Sequence, residues 1–197
     1  GAFMLIEGKI EEGIAEILVA KNLDPLNSHI LTRLGYAYLC HHEFEKARDY
    51  FRGAHALAKL DLYFQFLVVW SYLLEEQYDQ AEYELSKVED LKDGYQLKPG
   101  TQGFLHARQD RLEKARKQET LIKKLSKEGK IKFPHLNLTI LYAGMDEPDK
   151  MFYHLEQAIQ EKPISLLFID ADPFWEEYRN DKRYVDLLKK VFHFDKG

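Results

Sequence analysis

The chain has 197 residues, a formal net charge of −5, 45% hydrophobic residues and 31% charged residues. That apolar content excludes a disordered chain and suits one compact domain or one short repeat array. The acidic balance argues against a surface built throughout for nucleic acid, so direct nucleic-acid binding is not expected. Cys40 is the only cysteine, which rules out an internal disulfide and a CxxC site; a lone thiol fits a reducing, cytoplasmic compartment.

At the N-terminus, Ala2 to Ile6 is apolar, but Glu7 follows at once, so the stretch is too short for a signal peptide. The longest apolar run, near Phe66 to Trp70, is far below the ~20 residues a membrane span needs, and no membrane insertion is expected. From Gly13 onward, columns of similar residues recur every 34 positions: Gly13, Ala47, Ala81 and Ala115; Tyr38, Tyr72 and His106; Gly35, Val69 and Gly103; Ile17, Phe51 and Leu85; Ala20, Ala54, Val88 and Ile122. Spacings of three, four and three through Phe44, Ala47, Phe51 and Ala54 define one face of a helix, and Tyr78, Ala81, Leu85 and Val88 repeat it. Small residues in the alanine column let two helices cross closely. The polar stretches His41-His42-Glu43 and Glu75-Glu76-Gln77 break each pair.

A 34-residue period is that of the tetratricopeptide repeat (TPR). Leu34-Gly35, Tyr38, Ala47, Phe51 and Ala54 resemble a TPR signature, and Pro25 resembles the proline that closes one repeat and precedes the next. The resemblance implies an all-α fold: a TPR-type α-solenoid, a right-handed superhelix of antiparallel helix pairs with C-terminal capping helices. It spans roughly residues 1–163, with units near 1–27, 28–61, 62–95, 96–131 and 132–163, and leaves 164–197 as a cap. The first unit is truncated, so the chain is expected to be a piece of a longer one. Later units depart from the pattern. Lys59 stands where a closing proline would be, and Glu119 replaces an apolar residue. Met151 follows Ala115 by 36 positions, the extra residues falling in Lys127-Glu128-Gly129-Lys130. Leu155, Ala158 and Pro163 restore the pattern.

In the tail, Asp172 can N-cap a helix beginning at Pro173, and Asp181 can cap a second one running towards Phe192. Lys182, Arg183, Asp186, Lys189 and Lys190 would form the polar outer face that a terminal solenoid unit needs, with Tyr184, Leu187, Leu188 and Phe192 turned inward. Asp172-Pro173-Phe174, Tyr178-Arg179, Asp181, Arg183-Tyr184 and Leu187-Leu188 resemble the closing segment of a bacterial group of TPR domains. The resemblance implies the C-terminal part of a longer regulator, joined to winged-helix DNA-binding, class III cyclase or serine/threonine kinase modules. It implies no catalytic residues.

Chemistry-bearing patterns are sparse. His41-His42-Glu43 lacks metal-ligand spacing and reads as a polar turn. Cys40 reads as a small buried hydrophobe. Gly94 and Gly100-Thr101-Gln102-Gly103 read as turn and packing glycines, with Lys98-Pro99-Gly100 as a helix start. No catalytic residue, metal or cofactor is expected. Arg108 to Lys132 holds ten cationic residues against four acidic ones. Lys114, Lys117, Lys123, Lys124 and Lys127 could form a docking surface for an acidic partner or a phosphate backbone, or simply a solvated outer face.

The TPR resemblance implies that the first helix of each pair lines the concave side. Stepping along that face gives Thr32, Tyr36 and Leu39; Phe66, Trp70 and Leu73; Gly100, Phe104 and Ala107; then Leu136, Ile140 and Ala143. The preceding turns add His29, Tyr63, Leu97 and Phe133. This strip is apolar and aromatic and lacks the Lys and Asn of TPRs that clamp a terminal carboxylate. It points to a groove for an apolar or amphipathic segment of a protein or peptide partner, which could be another domain of the same full-length chain. A structural homo-oligomerisation module, with the strip as a homodimer interface, is the alternative.

Overall fold

The computed structural model describes residues 9–58, 62–88, 97–161 and 169–192, and the side chains within them except those of 62–64, 191 and 192. The expectations for Ala2 to Ile6, Lys59, Gly94, Pro163 and the Tyr63 and Phe192 side chains lie outside these. Among the described residues every regular element is a helix: α1 (Ile10–Leu23), α2 (Ser28–Cys40), α3 (Phe44–Leu57), α4 (Leu62–Leu74), α5 (Tyr78–Ser86), α6 (Lys98–Arg108), α7 (Leu112–Lys127), α8 (Pro134–Gly144), α9 (Pro148–Glu161), a 3-10 helix (Pro173–Tyr178) and α10 (Lys182–Phe192). None of these is long and apolar enough to cross a membrane.

The repeat columns are the core. Ala47, Ala81 and Ala115 are fully buried, as are Ala54, Val88 and Ile122, and Gly35, Val69 and Gly103 are buried beside them. The turn inside each pair also repeats. His42, Glu76, Asp110 and Asp146 all have φ near +57°, with values of 58, 57, 59 and 55. The next N–H reaches back to close the preceding helix: Glu43 to the Tyr38 carbonyl, Gln77 to Tyr72, Arg111 to His106 and Glu147 to Tyr142, at 2.8–3.0 Å. This left-handed C-terminal closure satisfies carbonyls that a helix end leaves orphaned. The last interval is lengthened where the sequence placed it. α7 has 16 residues against 14 in α3, and Gly129 (φ 64) closes it.

The chain divides into two compact units, residues 1–94 with 167–175, and residues 95–166 with 176–197. In the first, Asn27 caps α2 by accepting from the N–H groups of His29 and Ile30. Leu39, Ala47, Phe51, Leu67 and Val68 form one buried cluster, and Ile17, Leu34 and Ala37 another. Gly35 lets α2 meet α3, since a Cβ there would lie 2.5 Å from the Phe51 ring. Arg48 is buried, paired with Glu75 at 2.6 Å and lying 4.2 Å over the Tyr72 ring.

In the second unit, α8 packs against α6, α7 and α9. Every residue from Leu136 to Gly144 is buried. Gly100 brings α6 against the α8 backbone, and its N–H donates to Asn137 Oδ1 at 2.9 Å. Gly144 does the same against Phe104, where a Cβ would come 2.5 Å from Cα. At the C-terminus, Asp181 caps α10 by accepting the Arg183 N–H at 2.8 Å. Tyr184 and Leu187 face inward, while Lys182, Arg183, Asp186, Lys189 and Lys190 are exposed. Arg183 pairs with Asp149 at 2.7 Å over the Phe152 ring, and Lys190 pairs with Glu156 at 2.7 Å.

Candidate partner-binding site

The expected strip is not an open groove. Leu39, Phe66, Leu73, Phe104, Leu136 and Ile140 are all buried, and Thr32, Tyr36, Trp70 and Phe133 are half-buried. The reason lies in the helices themselves. α8 reads Leu-Asn-Leu-Thr-Ile-Leu-Tyr-Ala from Leu136, and Leu67, Val68 and Val69 of α4 form an unbroken apolar run. A helix with apolar residues on every side buries most of them as core. Phe104 is covered within its own unit, with the Arg108 guanidinium over its ring and Gly144 against its backbone.

In the first unit, two members of the strip hold a distant piece of the same chain. The Tyr36 hydroxyl donates to Asp172 Oδ2 at 3.1 Å. The Trp70 ring lies 4.9 Å from Phe174, tilted by 33°, and the Phe66 ring stacks on Trp70 at 6.0 Å. Aromatic pairs at such separations add to the value of the area they bury. Asp172 has the capping role expected of it, since its Oδ1 accepts the Phe174 N–H at 3.0 Å. The second role, facing Tyr36 across 136 positions, left no trace in the repeat spacing.

The basic surface is partly neutralised. Arg116 pairs with Glu119 and Glu147, Lys123 with Glu119, Lys130 with Glu128 at 2.8 Å, and Lys124 approaches Glu128 at 4.0 Å. Among the described residues Lys114, Lys117 and Lys127 are exposed without an ion pair. Arg116, Thr120, Lys123, Lys124 and Lys127 share a shallow depression with Glu119 and Glu128. Its two carboxylates make it a mixed surface.

A polar cluster that periodicity missed lies beside it. Tyr142 Oη donates to Glu119 at 2.8 Å, and Lys123 and Arg116 reach the same carboxylate at 2.6 and 2.8 Å. Burial works to raise the Glu119 pKa, but the bonds from Lys123, Arg116 and Tyr142 win and draw it down to about 2. Burial first, and then Glu119, push the Tyr142 phenol up. His154 stacks on Tyr142 and faces His135, with Nδ1 atoms 2.9 Å apart; burial and the second imidazole lower it to about 4. Glu161 accepts the N–H groups of His135 and Leu136 and so caps α8 from the end of α9. His41-His42-Glu43 forms the turn between α2 and α3, and Cys40 is buried.

No protein-family model matches the chain, and no curated relative matches it. A crystal structure of a tetratricopeptide repeat protein from Parabacteroides merdae ATCC 43184 is similar, with a TM-score of 0.54 at 16% identity, covering 98% of this chain and 76% of that one. At that identity the likeness concerns the fold alone. With the repeating helix pairs and their turns, it makes the fold an all-α, TPR-like one.

Proposed function

We propose that the chain is a non-enzymatic protein-interaction module whose aromatic strip, centred on Tyr36 and Trp70, holds an apolar or amphipathic segment of a polypeptide. One observation carries the reading: the face of α2 and α4 meets the start of the short 3-10 helix through an aromatic ring and a hydrogen bond. Tyr63, Phe66 and Leu73 belong to the same helix as Trp70, and the Phe66 ring stacks on that of Trp70. Leu39, Phe104, Phe133, Leu136 and Ile140 continue the strip in sequence, but they serve the packing of each unit. The partner is a protein or peptide, possible sources being another domain of a longer regulator, and the setting is cytoplasmic.

Burying one large apolar side chain is worth ~1.5–3 kcal/mol and association costs ~4–15 kcal/mol, so several side chains must be buried together in an already ordered site for binding to be measurable. The test is a titration of the purified chain with a labelled amphipathic helical peptide, repeated with Trp70→Ala. Binding should weaken roughly tenfold or more in the variant and change little with salt, because apolar contact is not screened. Affinity that collapses with salt and survives Trp70→Ala would move the site to the Lys114, Lys117 and Lys127 face.

A further inference from the structure

Seven residues of the first unit, 169–175, come from far along the chain. Ile169, Ala171, Asp172, Phe174 and Trp175 are buried, while Asp170 is exposed. The stretch carries its own local order. Asp172 Oδ1 accepts the Phe174 N–H, the Asp172 carbonyl accepts the Trp175 N–H at 3.1 Å, and Pro173 fixes the backbone between them. One carboxylate oxygen therefore shapes the segment and the other faces Tyr36. The Phe174 ring is held in register two residues further on, against Trp70.

That division of labour is what a short recognition segment needs. The carboxylate meets the Tyr36 phenol donor and the Phe174 N–H, and the ring meets Trp70, on which Phe66 stacks. A neutral donor discriminates by geometry, so the pair of groups must arrive at fixed spacing.

We propose that the Tyr36–Trp70 face is a receptor for polypeptide segments with a carboxylate two residues before an aromatic ring, that Asp172-Pro173-Phe174 is its resident occupant, and that a partner segment of the same chemistry exchanges with it. The inference rests on the reading of this face as the interaction strip and adds the chemistry of the occupant. A tethered segment acts at an effective concentration on the order of millimolar. The resident therefore sets a threshold: a competitor sees only the fraction of molecules whose site is vacated.

The test uses a fluorescein-labelled peptide of residues 169–178 and the full chain carrying Asp172→Ala with Phe174→Ala, which removes the resident groups. The vacated chain should bind the peptide roughly tenfold more tightly than the wild type, because the tethered competitor is gone. Peptides with Asp172→Asn or Phe174→Ala should each lose most of that affinity, and Tyr36→Phe added to the vacated chain should weaken it several-fold. Equal binding by wild-type and vacated chains, or indifference to Tyr36→Phe, overturns the proposal. Should the vacated chain fail to fold by circular dichroism, amide exchange decides in the single variant Tyr36→Phe. Faster exchange at Phe174 and Trp175 than in the wild type supports Tyr36 as the group that holds the resident segment, and unchanged exchange refutes it. If the vacated chain ignores the acid–aromatic peptide but takes an unrelated amphipathic helix through Trp70, the interaction reading stands and this inference falls.

Discussion

Phe51 and Glu119 occupy the same repeat position, 68 residues apart, one in each unit. Phe51 is fully buried among Leu39, Ala47, Leu67 and Val68, with Gly35 leaving room for its ring. Glu119 fills the corresponding place with a carboxylate, and only 14% of its side chain is exposed. Its unit supplies Tyr142, Lys123 and Arg116 as donors, so the buried charge is paired and hydrogen-bonded. A repeat position thus fixes where something must fill the space between helices. It does not fix whether that something is apolar, provided every polar atom brought in finds a partner.

The largest effect expected is in the apolar version. Phe51→Ala should cost ~3–5 kcal/mol, the transfer of a ring plus the cavity it leaves, read as a fall in the urea midpoint. Glu119→Ala should cost less, ~1–3 kcal/mol, because it forfeits charge-assisted bonds and strands the Tyr142 hydroxyl but leaves a smaller void. A Phe51→Ala variant no less stable than Glu119→Ala breaks the comparison.

A double-mutant cycle sharpens it. Glu119→Leu installs the residue type the repeat asks for, yet Tyr142 Oη then sits buried with its acceptor gone. The single change should destabilise by ~1–3 kcal/mol. Adding Tyr142→Phe removes the orphan, and the double variant should recover ~1–2 kcal/mol relative to the sum of the single changes. Strict additivity would mean that the Glu119–Tyr142 bond contributes nothing.

The sequence made the helix pairs legible because alanine, glycine and aromatic residues recur at one period, and those columns are the core. It also flagged Glu119 as a departure, without naming Tyr142 as its answer. How far the strip is open was not legible for a physical reason: the face of Thr32, Phe66 and Leu136 does not report what the other faces of the same helices carry. In α8 those other faces hold Leu138, Thr139, Leu141 and Tyr142, all buried. The contacts of Asp172 and Phe174 with α2 and α4 span more than a hundred positions, and no period reports a pairing made once. The left-handed turns were legible only as polar breaks, since none of the four carries glycine.

Acid should dissect the polar column. Glu119 is drawn from 4.5 to about 2 in the folded chain. Its stabilisation is complete above pH 4.5 and is lost as pH falls through about 2. His154 is lowered from 6.5 to about 4. The folded state favours its neutral form, so stability begins to fall below pH 6.5 and levels off once pH passes below about 4. His154→Gln should flatten the upper window by ~1–2 kcal/mol and leave the lower one, and Glu119→Gln should do the reverse. Denaturation midpoints between pH 7 and about 2 decide it; identical profiles for all three proteins would refute the assignment.

The smallest effect concerns what the two units share. Each pair turns through one left-handed residue, His42 and Glu76 in the first unit, Asp110 and Asp146 in the second. An L residue is strained there by roughly 1–2 kcal/mol, whereas glycine is not. Aspartate and histidine tolerate the region better than glutamate, being found there several-fold more often than most residues. Replacement by glycine removes strain from the folded state but adds freedom to the unfolded chain, so the net gain is a fraction of the strain. Glu76→Gly should therefore stabilise by ~0.5–1 kcal/mol, and Asp110→Gly and Asp146→Gly by less. The ranking follows from local conformation alone, since the closing bond at each turn runs from backbone to backbone and survives the change. Thermal midpoints of the three single variants test it. A loss of stability at Glu76→Gly would mean that its side chain holds the turn by a contact the backbone does not need, and a larger gain at either aspartate would show that side-chain identity is not what limits these closures.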